Sequence, residues 1–483
     1  MTHLLFASVL LTILAQASGT QPQTEGCQIH LALTGDTTSM GVSWRTETAM
    51  TGKAVVEYTQ IGAPKNSTGG AQATDTRTYT IYGKTSGYYH HARMTALHPG
   101  AAYQYRVMCN ENFTAWRNFT APKASGGTST KFVFVGDFGL GGAGPPAGEG
   151  YLTTSAFAAE AFGSAAEAAV DMIWVSGDIA YANMHGAADF EKTWNEWFDA
   201  MESACAHVPC MVSPGNHETY LPKVFGSGET AANTTGWVAA PSEFFEQDEV
   251  KEAQADGAWN FTAYDSRFKM PDAGSRNMWY SFDFGGVHFV SINTETDFPN
   301  AGEAFLGGWG DQMTWLRNDL QQFRQKSKDG WLVVLGHKPI YSAAPGYASN
   351  GVPIREFAHI QAAFEPLFHE FGVDLYLAGH QHSYERSAAI FNNKPAANGT
   401  VHIIAAIPGG GCGITADFKE PFPEWSVVRY PGNGSPWNDR KNGTEEAGDL
   451  GYGIVEANST MLSFTLKLSK SGQVVDTVVI PRR

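Results

Sequence analysis

Five short motifs occur in order along the second part of the chain, and each follows directly on an apolar run. In each motif a side chain that can bind a metal lies beside a glycine, just after a segment with the length of a buried strand. The motifs are Gly136-Asp137-Phe138-Gly139, Gly177-Asp178-Ile179-Ala180-Tyr181, Gly215-Asn216-His217-Glu218, Val334-Leu335-Gly336-His337 and Gly379-His380-Gln381-His382. Glycine lets the backbone turn sharply and approach a ligand closely. Because sites in α/β domains collect beyond the carboxyl ends of the strands, the pattern predicts one metal site.

Helices are predicted between some of these strands, near residues 151–170, 311–326 and 354–371. In the last of them apolar residues recur at helical spacing, which predicts a face packed against a sheet. Alternating strands and helices indicate an α/β layered domain. We therefore expect one catalytic domain at residues 130–483, with a C-terminal strand region at about 445–480.

Three further segments of this part carry weaker signals. Four aromatic residues at helical spacing are predicted to be core: Phe190, Trp194, Trp197 and Phe198. Residues 219–275 are long, polar and Gly-rich, which predicts an insertion over the surface. Residues 409–411 are three glycines without a following helix or lysine, so they predict a turn near the site rather than a phosphate-cradling loop.

The first part of the chain, residues 24–122, is rich in short β-forming runs divided by Gly, Thr and Asp. The runs are residues 29–33, 40–44, 54–58 and 97–107. The last run alternates in polarity after a Pro-Gly turn, and a tyrosine at the start of such a strand suits the tyrosine corner of a β-sandwich. We expect a fibronectin-III-like β-sandwich, joined to the second part by a Ser-, Gly- and Thr-rich linker at residues 122–130.

The N-terminus has the pattern of a secretory signal peptide at residues 1–17. An apolar run at residues 4–14 precedes Ala15-Gln16-Ala17, a small-x-small cleavage pattern, although the positive charge before it is weak. The alternatives are a buried strand and a short anchor. Nine N-x-Ser/Thr sequons support export and glycosylation: Asn66, Asn112, Asn118, Asn233, Asn260, Asn398, Asn433, Asn442 and Asn458. We expect a secreted glycoprotein, or one delivered to a lysosome- or vacuole-like compartment.

Five cysteines follow the predicted cleavage point, an odd number for an oxidising compartment. Cys205 and Cys210 are close enough in sequence to close a small loop, and Cys27 with Cys109 would tie the two ends of the N-terminal domain. Cys412 is then left over, either as a buried free thiol or as a link between the two chains of a homodimer.

Composition excludes two classes of protein. The chain has 48 acidic against 32 basic side chains and a formal charge of −16, so it lacks the positive charge that would neutralise a nucleic-acid backbone. The apolar run near the N-terminus is too short to span a bilayer, and no later run is long enough. Of the 483 residues 43% are hydrophobic, enough for a large core. Nucleic acid is therefore not expected as a partner.

With all five motifs present, the sequence resembles the purple acid phosphatases, a group of calcineurin-like metallophosphoesterases. The resemblance covers nearly the whole chain, including the N-terminal sandwich and the stretch at residues 451–478. It implies a catalytic domain of two mixed β-sheets flanked by helices. It also implies an Fe(III) bound by Asp137, Asp178, Tyr181 and His382. A divalent ion, Zn, Mn or Fe, would be bound by Asp178, Asn216, His337 and His380, with Asp178 bridging the two.

The resemblance implies a secreted acid phosphatase that hydrolyses phosphate monoesters by direct attack of a metal-bound hydroxide. His217 would be the catalytic residue beside the metals, binding the substrate phosphate together with Asn216, and Glu218 could orient it. Because Fe(III) is a strong Lewis acid, we expect hydroxide to persist at low pH and the optimum to be acidic. Tyr181 separates this group from the related protein Ser/Thr phosphatases, which place another residue there.

The sequence departs from the plant members of the group at one point. The loop after His337 contains no histidine pair for substrate binding and leaving-group protonation, so the general acid is not identified. Glu356 and His359 are candidates; the alternative is the first turn of an exposed helix.

Two other functions therefore stay open. One is a phosphodiesterase or nucleotide pyrophosphatase with the same metals, and the other is a catalytically silent binding glycoprotein. The remaining histidines are predicted to be structural: His30, His90, His91, His98, His369 and His402.

Overall fold

The computed structural model describes most of the chain. The described residues are 26–64, 68–81, 84–124, 129–139, 170–219, 261–271, 275–295, 309–344, 356–407, 418, 420–430, 451–469, 471–480 and 482. The predicted signal peptide, residues 151–169 of the predicted helix at 151–170, the glycines at 409–411 and Cys412 lie outside them.

The first part of the chain forms a sandwich of two antiparallel sheets. Its strands are β1 (His30–Leu33), β2 (Met40–Thr46), β3 (Val55–Gln60), β4 (Gly69–Gln72), β5 (Asp75–Arg77), β6 (Thr80–Ile81), β7 (Lys84–Thr85), β8 (Tyr88–Met94), β9 (Ala102–Cys109), β10 (Asn112–Phe113) and β11 (Arg117–Thr120). One sheet has the order β1-β2-β8-β5, and the other has the order β10-β9-β3-β4 with β11 also on β9; β6 and β7 pair only with each other. The four predicted runs all fall on these strands, as expected for a fibronectin-III-like sandwich.

Two local features of the sandwich were predicted and are present. Tyr103, near the start of β9, accepts a hydrogen bond at its Oη from the backbone N–H of His98 (2.9 Å), as in a tyrosine corner. A disulfide joins Cys27, just before β1, to Cys109 at the end of β9. A second disulfide joins Cys205 to Cys210. Both cysteine pairings proposed from the sequence are therefore correct.

The second part of the chain contains two mixed sheets. The first has six strands in the order β14-β13-β12-β23-β24-β25. They are β12 (Ser129–Val135), β13 (Met172–Ser176), β14 (Cys210–Ser213), β23 (Gly451–Asn458), β24 (Leu462–Leu468) and β25 (Val474–Ile480). Strands β12, β13 and β14 are parallel, whereas β23 returns antiparallel to β12. The C-terminal strands thus complete the sheet that begins just after the linker.

The second sheet has eight strands in the order β15-β16-β17-β18-β21-β19-β20, with β22 also paired to β19. They are β15 (Tyr280–Phe284), β16 (Val287–Ser291), β17 (Trp331–Leu335), β18 (Leu375–Ala378), β19 (Tyr384–Phe391), β20 (Lys394–Pro395), β21 (Thr400–Ala405) and β22 (Ser426–Tyr430). Strands β16, β17, β18 and β21 are parallel. The two sheets pack face to face through aromatic contacts, such as Trp174 on Phe282 (5.9 Å) and Phe132 on Phe289 (5.4 Å between centroids).

Helices cover the outer faces of the sheets. The described α-helices are α1 (Gly186–Cys205), α2 (Asn216–Thr219), α3 (Thr262–Arg267), α4 (Gln312–Lys326) and α5 (Glu356–Phe371), and a 3-10 helix spans Ala182–His185. The helices predicted near 311–326 and 354–371 are therefore confirmed. The aromatic residues predicted to be core on α1 are buried: Phe190, Trp194, Trp197 and Phe198. Among the described helices, none is both long enough and apolar enough to cross a bilayer.

The sandwich packs closely on the second part of the chain at a face that we call the domain joint. It is defined by His30, His91, Tyr105 and Arg117 of the sandwich, which contact residues 186–206 and 261–268. Arg117 pairs with the buried carboxylate of Glu202 (2.7 Å), and Tyr105 donates from Oη to the carbonyl of Ala206 (2.8 Å).

One prediction about this region was wrong for residues 261–271, whereas residues 220–260 of the same segment lie outside the described residues. Residues 261–271 belong to the segment predicted as a surface insertion, yet Phe261, Tyr264 and Phe268 are almost fully buried. Phe268 packs on His30 of the sandwich and on Trp194 of α1, and Tyr264 packs on Phe268. The local polarity of the segment does not reveal these long-range contacts.

Candidate metal centre

The five motifs all lie at the carboxyl ends of parallel strands. Strands β12, β13 and β14 of the first sheet lead to Asp137, Asp178 and Asn216, and β17 and β18 of the second lead to His337 and His380. Four of the seven predicted ligands have left-handed backbone conformations, with φ of 49° to 69°: Asp137, Asp178, Tyr181 and His380. Such conformations are uncommon in non-glycine residues and concentrate at functional sites, where the surrounding structure maintains them.

The motif glycines let the two sheets meet at these ends. A Cβ atom on Gly136 would lie 2.8 Å from the Cα of Gly379 in the other sheet. A Cβ on Gly177, which has a φ of 74°, would lie 2.5 Å from Nδ1 of His337. No other residue fits at these two positions without moving backbone or a buried ring. The close approach proposed from the sequence is therefore present in the fold.

Three predicted ligands form a first group of converging atoms. Tyr181 Oη lies 2.8 Å from His382 Nε2 and 3.0 Å from Asp137 Oδ1, and the latter two atoms are 3.2 Å apart. All three side chains are buried. Atoms bound to one ion at about 2.0–2.2 Å are separated by roughly 3 Å, so the triangle has the size of a metal-binding face.

The other four predicted ligands form a second group. Asn216 Oδ1 lies 3.0 Å from His337 Nε2 and 2.8 Å from His380 Nδ1, and these two nitrogens are 3.3 Å apart. Asp178 Oδ2 lies 3.1 Å from His337 Nε2. The ligand atoms of Asp178, His337 and His380 all lie within 4.8 Å of one another. The backbone N–H of His380 donates to Asp137 Oδ2 (2.6 Å), which connects the second group to the first.

The hydrogen bonds of His337 indicate that a cation belongs in the second group. Its Nδ1 lies 2.8 Å from the carbonyl oxygen of Ser176, an acceptor, so Nδ1 carries the proton. In the neutral ring Nε2 therefore presents a lone pair, and it faces the oxygens of Asn216 and Asp178. Converging lone pairs repel one another unless a positive charge lies among them.

The pKa of His337 reflects the same negative field. Burial lowers the pKa of His337, but the Asp178 and Asp137 carboxylates outweigh burial and raise it to about 10. Burial also opposes ionisation of Asp178, yet the neighbouring His337 and His217 hold its pKa well below the usual range. A field that favours a proton on Nε2 also favours a metal ion there, so the residues fit a bound cation.

His217 lies beside both groups, as predicted. Its backbone N–H donates to Asp178 Oδ1 (2.8 Å), and its ring packs against Tyr181 with centroids 4.3 Å apart. Its Nε2 lies 3.8 Å from Asp178 Oδ2, whereas its Nδ1 lies 2.8 Å from Oδ1 of Asn183. Sequence reasoning missed Asn183, because an asparagine two residues after Tyr181 has the ordinary pattern of a turn former.

Glu218 has a different role from the one suggested. Instead of orienting the ring of His217, its carboxylate accepts three backbone N–H bonds of 2.8 Å, from Asp178, Ile179 and Gly215. Burial, together with the charge of Asp178, raises the pKa of Glu218 to about 8. Glu218 thus connects the turn that carries Asp178 to the turn that carries Asn216.

The two candidates for the general acid lie on the first turns of α5. The side chain of Glu356 is outside the described residues. His359 stacks on Trp309 (5.4 Å between ring centroids). Phe357, which lies between the two candidates in sequence, contacts the ring of His380 (5.7 Å between centroids). The start of α5 is therefore adjacent to the centre, and a proton-transfer role for either residue stays a prediction.

Three family models match the chain and together cover most of it. The model described as Purple acid Phosphatase, N-terminal domain, matches residues 27–121, and that of the Calcineurin-like phosphoesterase matches residues 130–384. A third, Iron/zinc purple acid phosphatase-like protein C, matches residues 399–477. The chain belongs to the purple acid phosphatases. The resemblance stated from the motifs is confirmed, and the chain is an enzyme of the acid phosphatase type.

Similar proteins agree with this membership. Purple acid phosphatase 18 of Arabidopsis thaliana is 27% identical over 405 residues, which cover 83% of this chain and 75% of that protein. An acid phosphatase of Aspergillus ficuum is 34% identical over 279 residues, 46% of this chain and 43% of the relative. The structure of a purple acid phosphatase from yellow lupin (Lupinus luteus) seeds has a TM-score of 0.69 at 21% identity, covering 94% and 74% of the two chains.

Purple acid phosphatases use a binuclear metal centre, and the two groups of side chains described above are the candidate for that site in this chain. All seven predicted ligands converge at the junction of the two sheets, with His217 beside them.

Proposed function

We propose that this purple acid phosphatase hydrolyses phosphate monoesters at a centre of Fe(III) and one divalent ion, Zn, Mn or Fe. The proposal is supported above all by the convergence of lone pairs in two adjoining groups, with edges of 2.8–3.3 Å. In this assignment Fe(III) is held by Asp137, Asp178, Tyr181 and His382. The divalent ion is held by Asp178, Asn216, His337 and His380.

The residues of the centre have different roles in this reaction. When bound, the two ions supply positive charge to the phosphoryl oxygens and lower the pKa of the attacking water. In this assignment Asp178, from the second group, would bind both ions, and the neighbouring histidines keep it ionised by lowering its pKa despite burial. His217 and Asn216 bind the substrate phosphate, since Nε2 of His217 lies on the side of Asp178.

The metal assignment is tested by metal analysis together with a visible spectrum of the purified protein. We expect two metal ions per chain and a visible absorption band from the bond between the Tyr181 phenolate and Fe(III). Tyr181→Phe should abolish the band. Tyr264→Phe, in the domain joint, is the matched control and should keep it. If the colour survives in Tyr181→Phe, the assignment of Tyr181 is wrong.

The bond that is cleaved is tested by comparing a nitrophenyl monoester, its bis-ester and ATP. We expect the monoester to be the best substrate, with an acidic optimum. Faster cleavage of the bis-ester or of ATP would instead indicate a phosphodiesterase or pyrophosphatase, and an optimum well above neutrality would contradict Fe(III) activation. A series of leaving groups tests for the general acid, because alkyl phosphates should react slowly if neither Glu356 nor His359 protonates them.

We also propose that the protein is exported and glycosylated. Two disulfides fit an oxidising compartment, and the sequon residues Asn112, Asn118 and Asn398 are exposed. Mass spectrometry of the protein from a eukaryotic host should find residues 1–17 removed and glycans at these positions. An intact N-terminus on intracellular protein would contradict the proposal.

A further inference from the structure

Asn183 is buried beside the centre with half of its amide unsatisfied. It lies in the 3-10 helix that follows Tyr181 and has no exposed surface. Its Oδ1 lies 2.8 Å from His217 Nδ1, whereas its Nδ2 has no hydrogen-bond partner among the described residues. A buried amide donor without a partner costs about 1–3 kcal/mol. An apolar residue at this position would therefore give a more stable fold. The presence of an asparagine here must have a reason other than stability.

The contacts of His217 supply that explanation. Its backbone N–H is fixed to Asp178 Oδ1, and its ring packs against Tyr181. These contacts position the plane of the ring but do not decide which nitrogen faces the centre. Asn183 decides it, because the hydrogen bond at Nδ1 leaves Nε2 on the side of Asp178, 3.8 Å from Oδ2.

We propose that Asn183 is a positioning residue that orients His217 toward the phosphate group of the substrate. The inference rests on the proposed function, in which His217 binds that phosphate. Asn183 does not contact the predicted metal ligands through any of its described side-chain bonds, so it acts on phosphate binding rather than on metal binding.

The test is a double-mutant cycle of Asn183→Leu and His217→Gln in the metal-loaded enzyme. Leucine has nearly the shape of asparagine but cannot bond to Nδ1. The measured quantities are metal content, the dissociation constant of inorganic phosphate by calorimetry, and KM and kcat for a nitrophenyl monoester. Asn195→Leu is the matched control, since Asn195 on α1 also has a buried amide atom without a partner, Oδ1, and its backbone carbonyl contacts Gln28 of the sandwich.

We expect Asn183→Leu to weaken phosphate binding and raise KM by about tenfold, the effect of one lost hydrogen bond to a binding group. Metal content should stay at the wild-type level, and kcat should fall less than about threefold. In the His217→Gln background the same substitution should have no further effect, because its action passes through His217. Asn195→Leu should leave phosphate binding unchanged.

Two results would overturn the inference: equal losses in the presence and absence of His217, or loss of metal together with phosphate affinity. If Asn183→Leu does not fold, Asn183→Ser replaces it in the cycle, since its hydroxyl is too short to reach Nδ1. Failure of the proposed function is a different result: phosphate binding shows the expected coupling between Asn183 and His217, but the wild-type enzyme hydrolyses no monoester.

Discussion

Histidines are buried both at the domain joint and at the metal centre, but their partners differ. In the joint, His91 Nε2 donates to the carbonyl of Ser266 (3.1 Å), and Nδ1 accepts from the hydroxyl of Ser43 (2.7 Å). Each nitrogen of the neutral ring therefore has a complementary partner. In the centre, Nε2 of the neutral His337 ring presents a lone pair to the oxygens of Asn216 and Asp178, which carry lone pairs as well. Complementary partners stabilise the fold, whereas converging lone pairs indicate a site for a cation.

The pKa values of the two histidines differ in the same way. Burial lowers the pKa of His91 to about 3, with a further contribution from the positive charge of Arg77. The pKa of His337 is raised to about 10 by carboxylates that outweigh burial. The joint thus excludes positive charge from its histidine, and the centre attracts it. The predictions below test this contrast.

The largest effect is expected for Asp178→Asn. The substitution removes the negative charge that Asp178 is proposed to present to both ions and leaves the shape of the side chain. We expect activity to fall at least about a thousandfold, roughly 4 kcal/mol of transition-state stabilisation, and metal content to drop below two per chain. Asp265→Asn, which removes a carboxylate buried beside Arg77 near the joint, is the control. The control should reduce stability and keep both metals. Unchanged turnover in Asp178→Asn would contradict the metal-binding role proposed for the centre.

A smaller effect on the centre is expected for Glu218→Gln. The glutamine has one acceptor oxygen, so its NH2 group must face one of the three N–H donors that Glu218 now satisfies. We expect metal affinity to fall by about 10- to 100-fold, the usual effect of losing a residue that orients ligands. Affinity is measured by competition with a chelator. Glu202→Gln, the buried glutamate of the joint, should not change it, and equal losses in the two variants would show only general destabilisation.

At the joint, His91→Asn should change how stability depends on pH. The folded pKa of His91 is lowered below the unfolded value of 6.5, so the unfolded chain takes up the proton first and wild-type stability falls as the pH falls below about 6.5. Asparagine cannot titrate. The stability difference between wild type and variant should therefore shrink by roughly 1.4 kcal/mol for each pH unit below 6.5. Denaturation between pH 7.5 and 5 measures it, and a constant difference would contradict a neutral His91.

The smallest effect is expected for Tyr105→Phe. It removes the hydrogen bond from Oη to the carbonyl of Ala206 and keeps the ring, so we expect a loss of about 1 kcal/mol with no change in metal content. The midpoint of urea denaturation measures the loss. Tyr58→Phe is the control, because its hydroxyl donates to the carbonyl of Thr95 and accepts from the N–H of Thr95 in exposed bonds, which should contribute less. A larger loss in the control would mean that the joint is not a strong contact.

The sequence predicted the centre better than it predicted the joint, for a physical reason. Each motif carries its own local signal, a buried strand followed by glycine and a polar residue, and parallel strands bring such ends together. His30 and His91 have no such signal, since their partners, Arg267 and Ser266, are more than 170 residues away. The roles of Glu218 and Asn183 were missed in the same way, because backbone N–H groups and the orientation of a ring are fixed only in three dimensions.

Secondary structure was likewise predicted correctly where the signal is local and incorrectly where it depends on long-range contacts. The helix predicted near 311–326 is Gln312–Lys326 in the structure, because its apolar spacing is local information. Residues 261–271 were assigned to the surface by their polar neighbourhood, yet most of them are buried, and Phe268 lies against His30 of the sandwich.

The position of β12 has a consequence for biosynthesis. This strand, which carries Asp137, lies between β13 and β23, and β23 begins only at Gly451. A chain emerging from the ribosome therefore cannot complete the first sheet until residues 451–480 have been made. The strand that leads to Asp137 therefore gains its second neighbour only after all seven predicted ligands, the last of them His382, have been made.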